Sequence, residues 1–229
     1  MNRKQTLSPE QVMPGPLGAV VDPLPYWFVI GGQAVRCLCP YRRSRDVDFG
    51  VRQEKDLKAL LAALRKSGKT EVREQTRDTV HLTWKGIKVS IFVLALLARF
   101  IEERRLTTTG ILATKLHAIL DRGTRRDFFD LYVTLEQERL GIAECLAAIK
   151  QVYRQPVNEA LLLRALTYFD DAEAEAKLQG EGPKDWKLVK NFFLERAGQL
   201  LVPPVRALDI QSRVVDVHAL GHPRRTSKK

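Results

Sequence analysis

No stretch of this 229-residue chain is apolar for long enough to cross a bilayer. The longest run, Ile91 to Ala98, falls well short of the ~20 residues that a spanning helix needs. No basic–apolar–small leader opens the sequence, so export through a signal peptide is not expected. Cysteine is scarce. Cys37, Cys39 and Cys145 form neither an even framework nor a Cys-x-x-Cys pair, which argues against a disulfide scaffold and for a reduced, cytoplasmic setting. Internal repeats and low-complexity tracts are missing too. Acidic residues are the remaining shortage: 27 Asp and Glu face 38 Lys and Arg, a formal net charge of +11. Such a surplus attracts polyanions, and nucleic acid is the commonest of these in cytoplasm. The segment from Pro203 onward carries six Lys/Arg against Asp209 and Asp216, or +4, so +7 remains on the body and the charge is not only a tail effect.

What is present is an ordinary globular composition, 45% apolar and 28% charged, in a chain long enough for one domain or two small ones. Residues 1–25 are Pro-rich and polar and read as an N-terminal arm, with at most a turn of helix near Ser8-Pro9-Glu10. Trp27 to Ile30 reads as a buried strand ending in Gly31-Gly32, and Gly32 to Leu38 suits a short helix stopped by Pro40. The basic loop Tyr41-Arg42-Arg43-Ser44-Arg45 leads into Asp46-Val47-Asp48-Phe49. Glu54 to Lys66 has helical spacing, with Leu57, Leu60, Leu61 and Leu64 on one face and Gly68 closing it. Strands are expected over Glu71–Gln75, Thr79–Trp84 and Ile87–Val93. From Thr107 the period turns helical, predicting helices over 110–121, 124–138, 142–154, 158–178 and 185–201.

The stretch from Phe28 to Val51 carries the chemistry. Side chains two apart on a strand share a face, so Asp46 and Asp48 project together while Val47, Phe49 and Val51 point into the core. Carboxylates roughly 6.5 Å apart repel by about 2.5 kcal/mol at an effective dielectric near 20. A hard cation between them relieves this, and Mg²⁺ with a bound triphosphate is the usual occupant. Glycines at a strand end let a phosphate approach the backbone. The bland alternative is a plain turn at Gly31-Gly32 and a solvated strand face at Asp46 and Asp48.

This pattern (apolar strand, Gly-Gly, short helix, then Asp-x-Asp on the next strand) resembles the signature of polymerase-β-like nucleotidyltransferases, and Ser44, two residues before Asp46, fits it. The superfamily usually carries a third acidic residue on a later strand. Here Ser90 stands where it is expected, between Val89 and Ile91, and serine is neither a strong metal ligand nor a base at neutral pH.

A second constellation follows. Lys115, Ala118 and Arg122 fall on one helix face, and Arg126-Asp127-Phe128-Phe129-Asp130-Leu131-Tyr132 opens the next helix. Lys-x-x-Ala-x-x-x-Arg followed by Arg-Asp-h-h-Asp-Leu-Tyr (h, hydrophobic) resembles the helical half of AbiEii-type nucleotidyltransferase toxins, relatives of the MenT toxins. The resemblance covers residues 27–132 and does not extend to the helices from residue 142 onward. Lys115 suits a triphosphate, and Arg122 a second phosphate or a carboxylate. Asp127 or Asp130 is expected either to replace the carboxylate missing at Ser90 or to orient Lys115. Blander roles are a capping box at Thr124-x-x-Asp127 and a surface pair between Arg126 and Asp130. His117 reads as packed or exposed, and His218 with His222 as no metal site.

The resulting expectation is an α/β protein: a mixed nucleotidyltransferase sheet domain over residues 26–106, a helical part over 107–202 that completes the active site, and a basic tail over 203–229. The resemblance implies Mg²⁺-dependent transfer of a nucleoside monophosphate from NTP to an acceptor hydroxyl. Gly31, Gly32, Ser44, Lys115 and Arg122 would hold the nucleotide, Asp46 and Asp48 the metal, and Asp46, Asp48, Lys115, Asp127 and Asp130 the catalytic roles. The acceptor it implies is the tRNA 3′ end or another RNA, with growth arrest countered by a cognate antitoxin and no membrane partner. Two alternatives stand: a nucleotidyltransferase acting on a small molecule or protein, and a catalytically weak nucleotide- or nucleic-acid-binding descendant, motivated by Ser90.

Overall fold

The computed structural model describes residues 6–44 and 46–201. Arg45 and the basic tail with His218 and His222 therefore lie outside the described residues. In chain order the elements are α1 (Pro9–Val12), α2 (Gly15–Val21), β1 (Phe28–Val29), α3 (Gly31–Leu38), β2 (Val47–Val51), α4 (Glu54–Ser67), β3 (Thr70–Gln75), β4 (Thr79–Trp84) and β5 (Ile87–Val93). A 3₁₀ turn (Ala95–Phe100) leads to β6 (Ile101–Glu102) and β7 (Arg105–Leu106). The helical half is α5 (Thr108–Asp121), α6 (Arg125–Glu138), α7 (Ile142–Tyr153), α8 (Glu159–Thr167), α9 (Asp170–Ala174) and α10 (Asp185–Leu201).

The strands form one mixed sheet in the order β3-β4-β5-β2-β1-β7-β6. β2 runs parallel to β5 and β1 parallel to β7, while the other neighbours are antiparallel. This is the expected α/β architecture, with a helical part following the sheet. β4 and β5 match the strands read from alternation.

Alternation also decides which core each side chain joins. Val47, Phe49 and Val51 of β2 and Val89 and Ile91 of β5 pack with Leu57, Leu60, Leu61 and Leu64 of α4 in one cluster. Phe28, Leu112, Leu116, Phe128 and Phe193 belong to a second cluster that fills the helical half. Because Val47 and Phe49 are turned toward α4, Asp48 between them is left on the opposite face, the one that meets α5.

Two local expectations are corrected. Residues 9–21 are no arm with a single turn. They form α1 and α2, and Val12, Met13, Leu17 and Val21 are buried against the sheet. Burial at about 1.5–3 kcal/mol per large side chain holds helices too short to persist alone. The helix read over 158–178 is broken at Tyr168–Phe169. The break lets Phe169 turn inward, with its ring 5.1 Å from that of Phe128 and 5.9 Å from that of Trp186. β6 and β7 are two-residue strands, too short to leave a period in the sequence. Among the described residues no helix is long and apolar enough to cross a membrane.

Candidate functional site

Gly31 opens α3 with φ of +57°, in the left-handed region that glycine tolerates. A Cβ there would lie 2.8 Å from the Asp48 carboxylate. Backbone and acid are thus in immediate contact, and the Ile30 amide donates to the Asp48 carbonyl at 3.0 Å. The loop before β2 is fixed by the buried Gln33, whose amide donates to the Asp46 carbonyl at 3.1 Å. Ser44 donates its hydroxyl to the same carbonyl at 3.1 Å. Gly32 faces Ser44 and the Arg42 guanidinium.

Asp48 pairs in register with Ser90 of β5, and Ser90 with His81 of β4. The Ser90 hydroxyl bonds the Asp48 carboxylate and lies 3.0 Å from His81 Nδ1. Burial, with a smaller push from the Asp46 charge, raises the Asp48 carboxyl above its ordinary range; the Ser90 bond and the Lys115 and Arg122 charges act the other way. Ser90, expected from the resemblance to stand where a third carboxylate is usual, thus lies opposite Asp48 in the sheet. His81, which nothing in the local sequence pattern marks, completes that row.

From the helical side come Lys115 and Arg122. Lys115 Nζ is buried 2.7 Å from Asp130 and 3.1 Å from Asp127. Gly123, with φ of +51°, ends α5 and returns the chain so that Asp127 meets Arg122 Nε at 2.9 Å. Asp127 also accepts from the Thr124 hydroxyl at 2.5 Å. Thr124 is the helix N-cap but makes no side-chain cap bond, so the expected capping box does not form. Asp130 receives a bidentate Arg42 guanidinium at 2.9 Å and the Tyr41 hydroxyl at 2.5 Å. Its partners are thus Lys115, Arg42 and Tyr41, and the expected surface pair with Arg126 is absent. Burial disfavours both carboxylates, yet Arg122, Lys115 and Thr124 hold Asp127 below the ordinary range, and Lys115 with Arg42 does the same for Asp130. Burial likewise opposes the Lys115 charge, but Asp130 and Asp127 outweigh it and raise its pKa.

One cavity of about 530 Å³ gathers Gly31, Asp48, His81, Ser90, Lys115 and Arg122, with Ala118 on the Lys115 face. Phe92, Leu94, Leu96 and Tyr153 form its apolar wall. An ammonium has three N–H donors; Asp127 and Asp130 take two from Lys115, which leaves one for this cavity. Asp46 opens instead onto a neighbouring cleft. Gly32 and Ser44 line neither, and Asp127 and Asp130 are buried behind Lys115. His117 stacks on Tyr153 with ring centroids 5.1 Å apart. Among the described residues no group of three or more His, Cys, Asp or Glu is arranged to hold a metal ion.

A family model described as the nucleotidyl transferase AbiEii toxin of a type IV toxin–antitoxin system matches residues 95–207. That range contains Lys115, Arg122, Asp127 and Asp130; Gly31, Gly32, Asp46 and Asp48 precede it. An uncharacterized protein of Aquifex aeolicus (strain VF5) is 26% identical over 188 residues, covering 76% of this chain and 88% of its own length. A solved Helicobacter pylori structure described as a candidate nucleotidyltransferase superposes with a TM-score of 0.53 at 19% identity, covering 87% of this chain and 97% of that one. It shares the fold.

Proposed function

We propose that this chain, a nucleotidyltransferase whose residues 95–207 match the AbiEii toxin family model, moves a nucleoside monophosphate from NTP to an acceptor hydroxyl, the tRNA 3′ end in the first instance. The observation that carries the reading is the meeting of Asp48, Gly31, Lys115 and Arg122 around one cavity. The type IV family implies a cognate antitoxin as partner.

Mg²⁺ fits the donor set. Asp48 is a mostly buried carboxylate pushed upward by burial and by its neighbour Asp46, the situation that a hard cation relieves. Mg²⁺ needs only one or two carboxylates when substrate phosphates and water complete its shell. Asp46 and Asp48 would hold it, and it would neutralise phosphate charge and acidify the attacking hydroxyl. The chain's own residues do the positioning. Lys115, fixed by two carboxylates, offers its remaining donor to the triphosphate, and Arg122 adds a second cation at the same cavity. The open backbone at Gly31 admits a phosphate beside Asp48. The acceptor oxygen attacks the α-phosphorus in line, and the bond to the departing pyrophosphate breaks.

Incubation with each labelled NTP, Mg²⁺ and total tRNA, alongside Asp46→Ala, tests the proposal. Label on tRNA with the wild type and none with the variant is expected; no label from any NTP on any RNA rejects it. Ser90 facing Asp48 favours one second reading, a descendant that binds nucleotide without transferring it. In that case NTP binds, yet no acceptor is labelled and Asp48→Ala changes nothing in cells.

A further inference from the structure

Beside the nucleotide cavity lies a cleft of about 780 Å³ whose walls include Arg36, Arg42, Arg43, Lys88, Arg126 and Lys177, with Asp46 the one acidic residue among the lining residues. Arg42 is engaged by Asp130, and Arg36 by Gln33 and the Val12 carbonyl. Arg43, Lys88, Arg126 and Lys177 make no ion pair among the described residues. They come from four separate segments: the α3–β2 loop, β5, the first turn of α6 and the α9–α10 connection. Gathering unpaired like charges is unfavourable, and a cation in the first turn of a helix also opposes the helix dipole. At that same turn Arg125 is neutralised by Glu181 at 2.9 Å, whereas Arg126 is left to the cleft. The wall carrying Lys177 is held in place as well, since the Leu178 amide donates to Glu181 at 2.9 Å.

We propose that this cleft binds the phosphate backbone of an RNA acceptor strand, with Arg43, Lys88, Arg126 and Lys177 as its contacts, so that the strand's end reaches the acidic pair from the Asp46 side while NTP enters from the Asp48 side. The inference rests on the transfer reading above and gives the acceptor its place. Asp46 lines the cleft and Asp48 the nucleotide cavity, so the carboxylates stand where the two openings meet. Cations spread over separate walls match a repeating phosphate chain, whereas a polycationic small acceptor would be repelled. The surplus of +11 over the whole chain draws the same partner.

The test uses the full chain, fluorescently labelled bulk tRNA read by anisotropy across a KCl series, and each NTP read by calorimetry. Arg126→Glu/Lys177→Glu and Lys88→Glu alter exposed side chains, and their melting curves serve as a folding control. RNA affinity falling by about tenfold or more, with the slope of log K against log salt reduced by about 0.7–0.9 per lost phosphate contact and NTP affinity unchanged, is the expected result. RNA affinity and slope equal to wild type overturn the proposal. So does NTP affinity that falls together with RNA affinity, because the cleft would then hold the triphosphate. Loss of antitoxin neutralisation with intact RNA binding overturns it in favour of an acidic protein partner. Wild-type RNA binding with the expected variant defects but no label transfer upholds the cleft and rejects the transfer reading.

Discussion

Lys115 is buried between two carboxylates that are in turn gripped by Arg42, Tyr41, Arg122 and Thr124. Removing one member strands the charge of another away from water, which costs about 3–5 kcal/mol. Asp130→Asn is therefore expected to lower unfolding free energy by about that much at pH 7, read by urea denaturation. The effect depends on pH in a definite sense. The folded-state pKa values of Asp127 and Asp130 are depressed, so their stabilisation is complete above the unfolded carboxylate value near ~3.9 and is lost as pH falls through the folded values. The gap between wild type and Asp130→Asn should accordingly be widest near neutrality and close in strong acid. Asp48 behaves oppositely. Its raised pKa means that its carboxylate form is lost at a higher pH than for an ordinary aspartate. Ser90→Ala removes a bond that holds the value down, so the acid limb of kcat/KM against pH is expected to move upward; an unmoved limb would disconnect Ser90 from Asp48.

At the scale of elements, the loop between α3 and β2 joins the sheet to the helical half. Tyr41 and Arg42 anchor it on Asp130 of α6, 89 and 88 residues away in sequence. Tyr41→Phe removes a bond to a charged group, worth about 1.5–3 kcal/mol, and is expected to loosen the loop that carries Ser44 toward Asp46. Hydrogen exchange over residues 39–48 would read that loosening. The start of α3 makes a separate prediction. Gly31→Ala adds a methyl 2.8 Å from the Asp48 carboxylate at a positive φ, at a cost of about 1–2 kcal/mol from the backbone alone. Transfer activity should fall by about 10²–10³, far more than that destabilisation would cause in a still-folded protein. Equal activity would remove Gly31 from the site.

For the whole molecule, the proposed function predicts that induced expression in bacteria arrests growth and that Asp46→Ala relieves the arrest at equal protein level, read from growth curves. Strands β4 and β5, helix α4 and the Gly31-Gly32 to Asp48 spacing were legible in the chain because each rests on a local period or on neighbours a few residues apart. The same locality placed Lys115, Ala118 and Arg122 on one face. α1 and α2 were not legible, since their few apolar residues acquire meaning only against the α4 side of the sheet. The role of Asp130 was left open by sequence because its partners Arg42 and Tyr41 arrive from the other half. Only tertiary structure placed Asp48 and Asp46 in the linings of two cavities, set His81 beside Ser90, and collected Arg43, Lys88, Arg126 and Lys177 on one cleft. Periodicity tells which face a side chain takes; what stands opposite that face depends on how distant segments pack.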